Sequence, residues 1–380
     1  MAGPRPVHGM RKLGGLLPYR GNSLTPAPDS AASGPRRYPE GVKDGALRLG
    51  KLPASLLREL LPAPETLPPE VLLGPAVGED ACAIELPGGV LVVATDPITL
   101  TSSALGAHAV VVNANDVAVM GVRPRWFLAA MLLPEGTSAK QVRALFRATR
   151  EALAEIGATL VGGHTEVTAA VTQPVVVGQM LGLSEDGHFV RSGGVGPGDQ
   201  VLQIGPAPVE GAAVLAQEAA SRLTRLSDEL LAEAREGLRR PGISVVEPAL
   251  LAAELGASAL HDPTEGGLAA GLHELSEASG VALHVDPEAV LWFEPGRAIC
   301  EALGADPWGT LASGTLLAAF PAGRSAQARA RLEAGGFAVG SIAEALQGSG
   351  AVRTDGRALP RFEQDEVARV LASSATQALS

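Results

Sequence analysis

Cysteine and aromatic residues are scarce in this chain. Among its 380 residues are 2 cysteines, and aromatic residues make up 3% of the composition. Cys82 and Cys300 lie far apart in the sequence, so we interpret both as small buried hydrophobic residues in a reducing compartment rather than as a disulfide. With so few aromatic rings, the core must be built mainly from Ala, Val and Leu, and the hydrophobic content of 46% is enough for a full globular core.

Long apolar runs and an excess of positive charge are also missing. No apolar run reaches the roughly 18 residues that a helix needs to cross a bilayer, and the N-terminal residues lack the apolar segment of a secretory signal. The formal net charge of −11 argues against a broad surface for nucleic acid or anionic membranes. We therefore expect a cytoplasmic protein without a nucleic-acid or membrane partner.

The chain divides by composition into a leader and a folded part. Residues 1–44 are rich in Pro, Gly, Ser and Arg and lack periodicity, which predicts a disordered extension. Beyond them strands and helices alternate, which is typical of α/β or α+β layers. We predict a first domain at 45–186, a second at 187–350 and a C-terminal tail or helix at 351–380.

Periodicity predicts the main elements of the first domain. Strands Cys82–Leu86 and Val90–Asp96 flank a Pro-Gly-Gly turn and form a hairpin. Ala107–Met120 reads as a buried helix, and Ser138–Ile156 as an amphipathic helix capped by Ser138. A short strand at Thr159–Val161 follows.

Acidic residues in apolar surroundings are the most informative feature of this domain. Asp80, Asp96 and Asp116 are each flanked by Val, Ala, Cys or Ile. A buried carboxylate is costly unless it is paired, neutralised or bound to metal. Because Mg²⁺ takes one or two carboxylates together with nucleotide phosphates, we expect the three aspartates to share one Mg²⁺ beside a nucleotide.

Asp116 lies in an otherwise apolar helix together with Asn113 and Asn115. Asp and Asn are poor residues for a helix interior because they compete for backbone hydrogen bonds. Their presence indicates a specific partner, and the alternative is a polar stripe that faces a subunit or domain cleft.

Two glycine-rich motifs suggest anion sites. Gly162-Gly163-His164-Thr165-Glu166 follows the strand at Thr159–Val161, and its glycines would let backbone N–H groups approach a phosphate chain. An ordinary turn between strands explains the same residues equally well. The motif is not a Walker A loop, since no Gly-Lys-Ser/Thr is present.

The second motif runs from His261 to Leu268. Asp262 and Thr264 are natural helix caps, and Gly266-Gly267 would open the helix start to an anion, with plain capping as the alternative. Lys51, near the leader, could close over phosphates, although a solvated lysine is an equal reading.

Together these motifs resemble the superfamily of aminoimidazole ribonucleotide (AIR) synthetase, and the similarity is greatest to its HypE-like, AIR synthase-related branch. The resemblance spans roughly residues 48–345. It rests on Gly50-Lys-Leu-Pro, Val77-Gly-Glu-Asp-Ala81, Thr95-Asp96, Asn115-Asp-Val-Ala-Val-Met-Gly121, Gly162-Gly-His-Thr-Glu166 and His261-Asp-Pro-Thr-Glu-Gly-Gly267.

The resemblance implies a PurM-like fold of two α/β domains, with the N-terminal sheets of a homodimer forming a β-barrel and ATP bound at that interface. It implies that Asp80, Asp96 and Asp116 hold Mg²⁺, with Asp116, His261 and Asp262 as catalytic residues. The nucleotide shell that it implies consists of Lys51, Asn115, Gly162, Gly163, Thr165 and Glu166. His261, Asp262 and Thr264 would line the acceptor side.

The chain departs from the HypE pattern on the acceptor side. Glu265 stands where HypE has an arginine, and Ser313 stands at an expected acidic position. The last eighty residues contain no cysteine, so we do not expect the self-cyanylation of HypE. Replacing a cation with an anion should change which acceptor is tolerated.

The sequence therefore predicts an ATP- and Mg²⁺-dependent homodimeric enzyme that phosphorylates or dehydrates an unidentified small or protein-bound acceptor, with a maturation partner protein and a link to hydrogenase maturation as possibilities. One alternative is a small-molecule kinase that resembles thiamine-monophosphate kinase. The other is a non-catalytic ATP-binding maturation partner.

Overall fold

The computed structural model describes residues 52, 54–99 and 104–377. The predicted disordered leader and Lys51 lie outside these residues. The described residues belong to one compact unit. Within it, the first sheet ends at Ser184 and the second begins at Gln200, on either side of the expected domain boundary at residue 186.

The first sheet has six strands in the order β1-β2-β3-β6-β4-β5. Strands β2 and β3 form the predicted hairpin, and β4 pairs in parallel with β5 but antiparallel with β6. The strands are β1 Val71–Leu73, β2 Cys82–Leu86, β3 Gly89–Ile98, β4 Pro124–Leu133, β5 Thr159–Val167 and β6 Val175–Ser184.

Helices α1 Ala54–Leu60, α2 Leu105–Ala118 and α3 Ala139–Glu155 belong to this half. The buried helix α2 is found within about two residues of the bounds expected from the apolar run. The Ser138 cap is confirmed: its side chain accepts from the Gln141 N–H, and the Gln141 side chain accepts from the Ser138 N–H, which makes a full capping box.

The second sheet also has six strands, in the order β12-β9-β11-β7-β10-β8. All its pairings are antiparallel except that of β12 with β9. Its strands are β7 Gln200–Ile204, β8 Ala259–His261, β9 Ala282–Val285, β10 Leu316–Phe320, β11 Val339–Leu346 and β12 Gly350–Arg353.

Seven α-helices belong to this half in the described part of the chain. They are α4 Val209–Glu218, α5 Asp228–Glu236, α6 Val246–Glu254, α7 Gly267–Ser279, α8 Glu294–Leu303, α9 Ala322–Ala334 and α10 Glu366–Gln377. No helix in the described ranges has the length and apolar character needed to cross a membrane.

Strand β10 shows how the core is divided. Its five residues are all buried. Leu316, Ala318 and Phe320 join the core shared with the first sheet, whereas Leu317 and Ala319 face the core beneath α7. Because side chains alternate across a strand, a continuous apolar run serves two cores at once.

One expectation about local structure is wrong. The glycines at 162 and 163 do not form a turn, because β5 continues through them to Val167. Within residues 351–380, for which a tail or helix is expected, α10 forms, and its Val367 and Val370 are buried in a core with α4, α5 and α8.

Candidate active site

Two of the predicted motifs meet in space although they are far apart in the sequence. Asp80 follows β1 in the loop before β2, and His261 ends β8. The Asp80 Oδ2 atom lies 2.9 Å from Nδ1 of His261 and also accepts a hydrogen bond of 3.0 Å from the Ser192 hydroxyl. On the other side of the ring, Nε2 of His261 lies 3.0 Å from Oε2 of Glu274 in α7.

This arrangement favours the imidazolium form of His261. An ionised carboxylate can only accept hydrogen bonds, so a ring held between two carboxylates needs a proton on each nitrogen. Burial alone would lower the pKa of His261, but the charges and hydrogen bonds of Asp80 and Glu274 outweigh it and raise the pKa well above 6.5. The trio is therefore a charge-paired clamp between the two halves of the chain.

Close packing of backbone holds the Asp80 loop in place. Gly78 has φ +87°, and a Cβ there would lie 3.3 Å from the Glu274 carbonyl oxygen. The neighbouring Glu79 side chain is 5% exposed and pairs with Arg191 at 3.2 Å. Burial raises the pKa of Glu79, and Arg191 offsets part of that rise. The loop is thus held by the packing of Gly78 on α7 and by the pair of Glu79 with Arg191.

Asp96 and Asp116 belong to a different part of the site. Oδ1 of Asn113 accepts from the Asp96 N–H at 2.8 Å, and Nδ2 of Asn113 donates to the Asp96 carbonyl at 3.2 Å. Since residues three apart share a helix face, Asp116 lies on the face of α2 that holds Asp96. Asp116 is 6% exposed.

Asn115 links α2 to the second half. Its Nδ2 donates to the Ile243 carbonyl and its Oδ1 accepts from the Val245 N–H, both at 2.9 Å. With the side chain 1% exposed, these bonds fix the 243–245 segment against the helix. A direct contact of Asn115 with a nucleotide stays a prediction, while the structure gives it a positioning contact.

The three aspartates do not form one cluster within this chain. Across residues 54–99 and 104–377, no group of three or more His, Cys, Asp or Glu side chains could hold a metal ion. The physical reason is that Asp80 is drawn to His261 and Ser192, whereas Asp96 lies against α2. A shared Mg²⁺ bound by Asp80, Asp96 and Asp116 therefore stays a prediction, and in this arrangement Asp80 is bonded to His261 and Ser192 instead.

The Gly162–Glu166 motif lies on β5, the edge strand of the first sheet. Gly163 has φ +142°, and a Cβ there would lie 2.8 Å from the Ala129 nitrogen, so glycine is needed for close pairing with β4. Thr165 and Glu166 are exposed, and Oε2 of Glu166 lies 3.3 Å from Nε2 of His164. An edge strand presents unpaired backbone groups, so a role in binding phosphate stays a prediction.

The second motif forms a tight turn between β8 and α7. Asp262 is 2% exposed, the Ala312 N–H donates to the Thr264 carbonyl at 3.2 Å, and Gly266 and Gly267 have φ +82° and +68°. The Gly266 N–H donates to Oδ2 of Asp365 at 2.8 Å. The turn is thus held by segments much later in the chain.

Sequence reasoning missed Glu274, Ser192 and Asp365. Glu274 reads as an ordinary polar residue of an amphipathic helix, and Ser192 as part of a glycine-rich loop. Asp365 precedes an apolar periodic run, which signals a helix cap but gives no hint of its bond to Gly266.

Comparison with known families agrees with the arrangement of the two sheets. Residues 78–184 match the family described as AIR synthase related protein, N-terminal domain, and residues 196–355 match its C-terminal domain. The first match contains Asp80 and the second contains His261, so the two matched domains meet at the Asp80–His261 contact.

Known proteins of similar sequence and structure bear related names. Carbamoyl dehydratase HypE of Azotobacter vinelandii is 32% identical over 265 residues, which cover 65% of this chain and 72% of that protein. A structure of hydrogenase maturation protein HypE in complex with ATP is 25% identical, with a TM-score of 0.63 over 78% of this chain and 92% of the other. A HypE–HypF complex, 23% identical, has a TM-score of 0.63 over 75% of this chain and 94% of that chain, which shows the shared fold.

Proposed function

Because the chain belongs to the AIR synthase-related family and is an ATP-dependent enzyme, we propose that it transfers the γ-phosphoryl group of ATP to an acceptor and so activates it in hydrogenase maturation. The observation that carries the proposal is the 2.9 Å contact between Asp80 and His261, which joins the nucleotide-type motif to the acceptor-type motif. The names of the relatives, carbamoyl dehydratase and hydrogenase maturation protein, support the acceptor chemistry.

The residues near α2 fit a magnesium–nucleotide group. Mg²⁺ is usually held by one or two protein carboxylates together with substrate phosphates. Asn113 of α2 bonds to the backbone of Asp96, and Asp116 lies one turn further along the same helix. When bound, Mg²⁺ neutralises charge on the transferring phosphoryl group. In this proposal Asp96 and Asp116 hold the ion, while Asn115 keeps α2 and the 243–245 segment in register.

The Asp80–His261–Glu274 clamp fixes the acceptor side. Each ring N–H of His261 donates a hydrogen bond to one of the two carboxylates, so the ring stays in one orientation. His261 thereby holds the start of the turn that contains Asp262. Phosphoryl transfer depends mainly on positioning and charge. Glu265 lies in the same turn, and its negative charge favours an acceptor that is neutral or positively charged there.

The first sheet supports a homodimer. Buried and half-buried residues alternate along β3 and β6, with α2 packed on the buried face. Val161 and Val167 on the edge strand β5 are 54% and 56% exposed. A second copy that covers the half-buried face and the β5 edge would bring a partner's residues to the Gly162–Glu166 motif. A maturation partner of the HypF kind is consistent with the known complex.

Isothermal titration with ATP and Mg²⁺, followed by product analysis, tests the proposal. We expect Mg²⁺-dependent ATP binding, and ADP plus free phosphate when an acceptor is dehydrated. A stable phosphorylated acceptor would instead favour a kinase. ATP binding without turnover for any carbamoylated or carboxylate-type acceptor would favour a non-catalytic partner.

An Asp116→Ala variant is the direct control for the site. Loss of Mg²⁺-dependent binding in this variant, with an unchanged circular dichroism spectrum, supports the assignment. Equal binding by the natural chain and the variant would refute it.

A further inference from the structure

The C-terminal segment around Asp365 makes contacts that the function described above does not use. Asp365 is 5% exposed and lies outside the family-matched residues 196–355. Its Oδ1 accepts from the Val367 N–H at 2.8 Å, which caps α10, while its Oδ2 accepts from the Gly266 N–H at 2.8 Å. One carboxylate therefore joins a helix start to a turn 99 residues earlier in the chain.

The first turn of α10 also grips a second loop. Oε2 of Glu366 accepts from the Asp306 N–H at 2.9 Å, and Arg369 donates both to Glu366 and to the Gly304 carbonyl. The loop that begins at Asp306 also packs on the glycine turn at Gly266-Gly267, because a Cβ on Gly267 would lie 2.8 Å from the Thr310 nitrogen. The glycine turn is thus held directly by Asp365 and indirectly through this loop.

Packing further along the segment reinforces the contact. The Phe362 ring lies against Gly309, where an added Cβ would be 2.6 Å from it. Arg361 pairs with Glu277 of α7 at 3.1 Å. The segment 360–369 therefore contacts α7 and the loop at Gly309 as well as the turn at Gly266.

We propose that Asp365 is a positioning residue that fixes the acceptor-side turn, residues 262–267, through the Gly266 N–H. The proposal rests on the proposed function, in which this turn lines the acceptor. Plain capping of α10 would need only one carboxylate oxygen. The second oxygen instead accepts the hydrogen bond from the Gly266 N–H of the turn. Gly266, at φ +82°, adopts a left-handed conformation that an external hydrogen bond stabilises.

The charge state of Asp365 bears on this role. Burial raises the pKa of Asp365 to about 7, and Glu265 adds to the rise, while the backbone N–H groups of Gly266, Val367 and Leu311 act in the opposite sense. The Cys300 thiol of α8 lies near enough for the charge of Asp365 to act on it, and Asp306, Glu366 and Arg369 are the charged groups bonded together on the neighbouring segments. The ionised carboxylate is the stronger acceptor for the Gly266 and Val367 N–H groups, so the turn is held most firmly above that pKa.

Hydrogen exchange of the full chain, measured by mass spectrometry on peptides that span residues 262–270, tests the proposal. The variant Asp365→Ser keeps a good helix cap but is too short to reach Gly266. Losing a buried hydrogen bond to a charged group should speed exchange in these peptides by about tenfold or more. The matched control Asp286→Asn alters an exposed carboxylate that accepts from the Glu288 N–H. This control should leave the exchange rate of the 262–270 peptides unchanged.

Exchange in Asp365→Ser that matches the natural chain would overturn the proposal and leave Asp365 as a cap alone. Should Asp365→Ser not fold, Glu265→Gln supplies the test, since removing the like charge lowers the pH at which the turn loses protection. An unchanged midpoint would contradict the proposal. Steady-state turnover separates the positioning role of Asp365 from the proposed function. In Asp365→Ser we expect a lower kcat with an unchanged KM for ATP. If the natural chain shows no turnover at all, the proposed function is refuted, whereas the exchange result still stands.

Discussion

The two acidic groups of the site are built in different ways. At the junction of the two halves, Asp80 and Glu274 share the buried ring of His261, so one fixed cation offsets part of their negative charge. Along α2, neutral amides do the structural work, with Asn113 bonded to Asp96. Asn113 holds the backbone of Asp96 rather than its carboxylate. Carboxylate oxygens suit Mg²⁺, so in the proposed function Asp96 and Asp116 serve the metal, whereas the carboxylates paired with His261 hold the two halves of the chain together.

The largest effect is expected at Asp116. Asp116→Asn keeps the shape of the side chain but removes its charge, so phosphate release from Mg²⁺-ATP should fall by about 100-fold or more. A coupled phosphate assay measures this, with Asp286→Asn as the exposed control. Turnover within the range of the control would show that α2 does not carry the metal.

His261→Gln should mainly reduce stability. Removing the cation leaves Asp80 and Glu274 partly buried without their partner, which should lower the free energy of unfolding by about 3 kcal/mol. Urea denaturation near pH 7 measures the change. Glu274→Gln should cost less, because the Glu274 side chain is 27% exposed; equal losses in the two variants would contradict the clamp.

The stability that His261 adds should also depend on pH. Since its pKa is raised above 6.5 in the folded chain, the added stability is complete below pH 6.5 and is lost as the pH rises through the higher folded value. The difference in unfolding free energy between the natural chain and His261→Gln should therefore shrink on the alkaline side. A difference that instead grows with pH would mean that the ring is neutral.

Arg191→Ala should have the smallest effect. Arg191 is 53% exposed but contacts the buried Glu79, so its loss should cost about 1 kcal/mol in thermal or urea unfolding. Arg123→Ala, which breaks an exposed pair with Glu247, is the matched control and should cost about 0.5 kcal/mol or less. A larger loss of stability in Arg123→Ala than in Arg191→Ala would show that burial of Glu79 does not strengthen its pair with Arg191.

Local signals in the sequence predicted much of the fold. The Ser138 cap, the buried helix α2 and the hairpin of β2 and β3 each depend on neighbouring residues, so pattern alone locates them. Gly162 and Gly163 misled for the same reason, because paired glycines are typical of a turn. Pairing with Ala129 of β4, a contact distant in sequence, decides that they lie in a strand.

The candidate site was predictable in its parts but not in its pairing. The motifs around Asp80 and His261 could be recognised separately, yet the bond between them spans 181 residues. Glu274 completes the trio from a helix whose pattern gives no sign of it. Burial and hydrogen-bond geometry, which local periodicity does not encode, separate Asp80 from Asp96 and Asp116.

Affinity for Mn²⁺-ATP, measured by electron paramagnetic resonance in Asp80→Asn, Asp96→Asn and Asp116→Asn, tests the central claim most directly. We predict that the changes at Asp96 and Asp116 abolish metal-dependent binding, while Asp80→Asn retains it, because the Asn oxygen still accepts from His261. Equal loss in all three variants, or loss at Asp80 alone, would contradict the division of the site into a metal-binding pair and a histidine clamp.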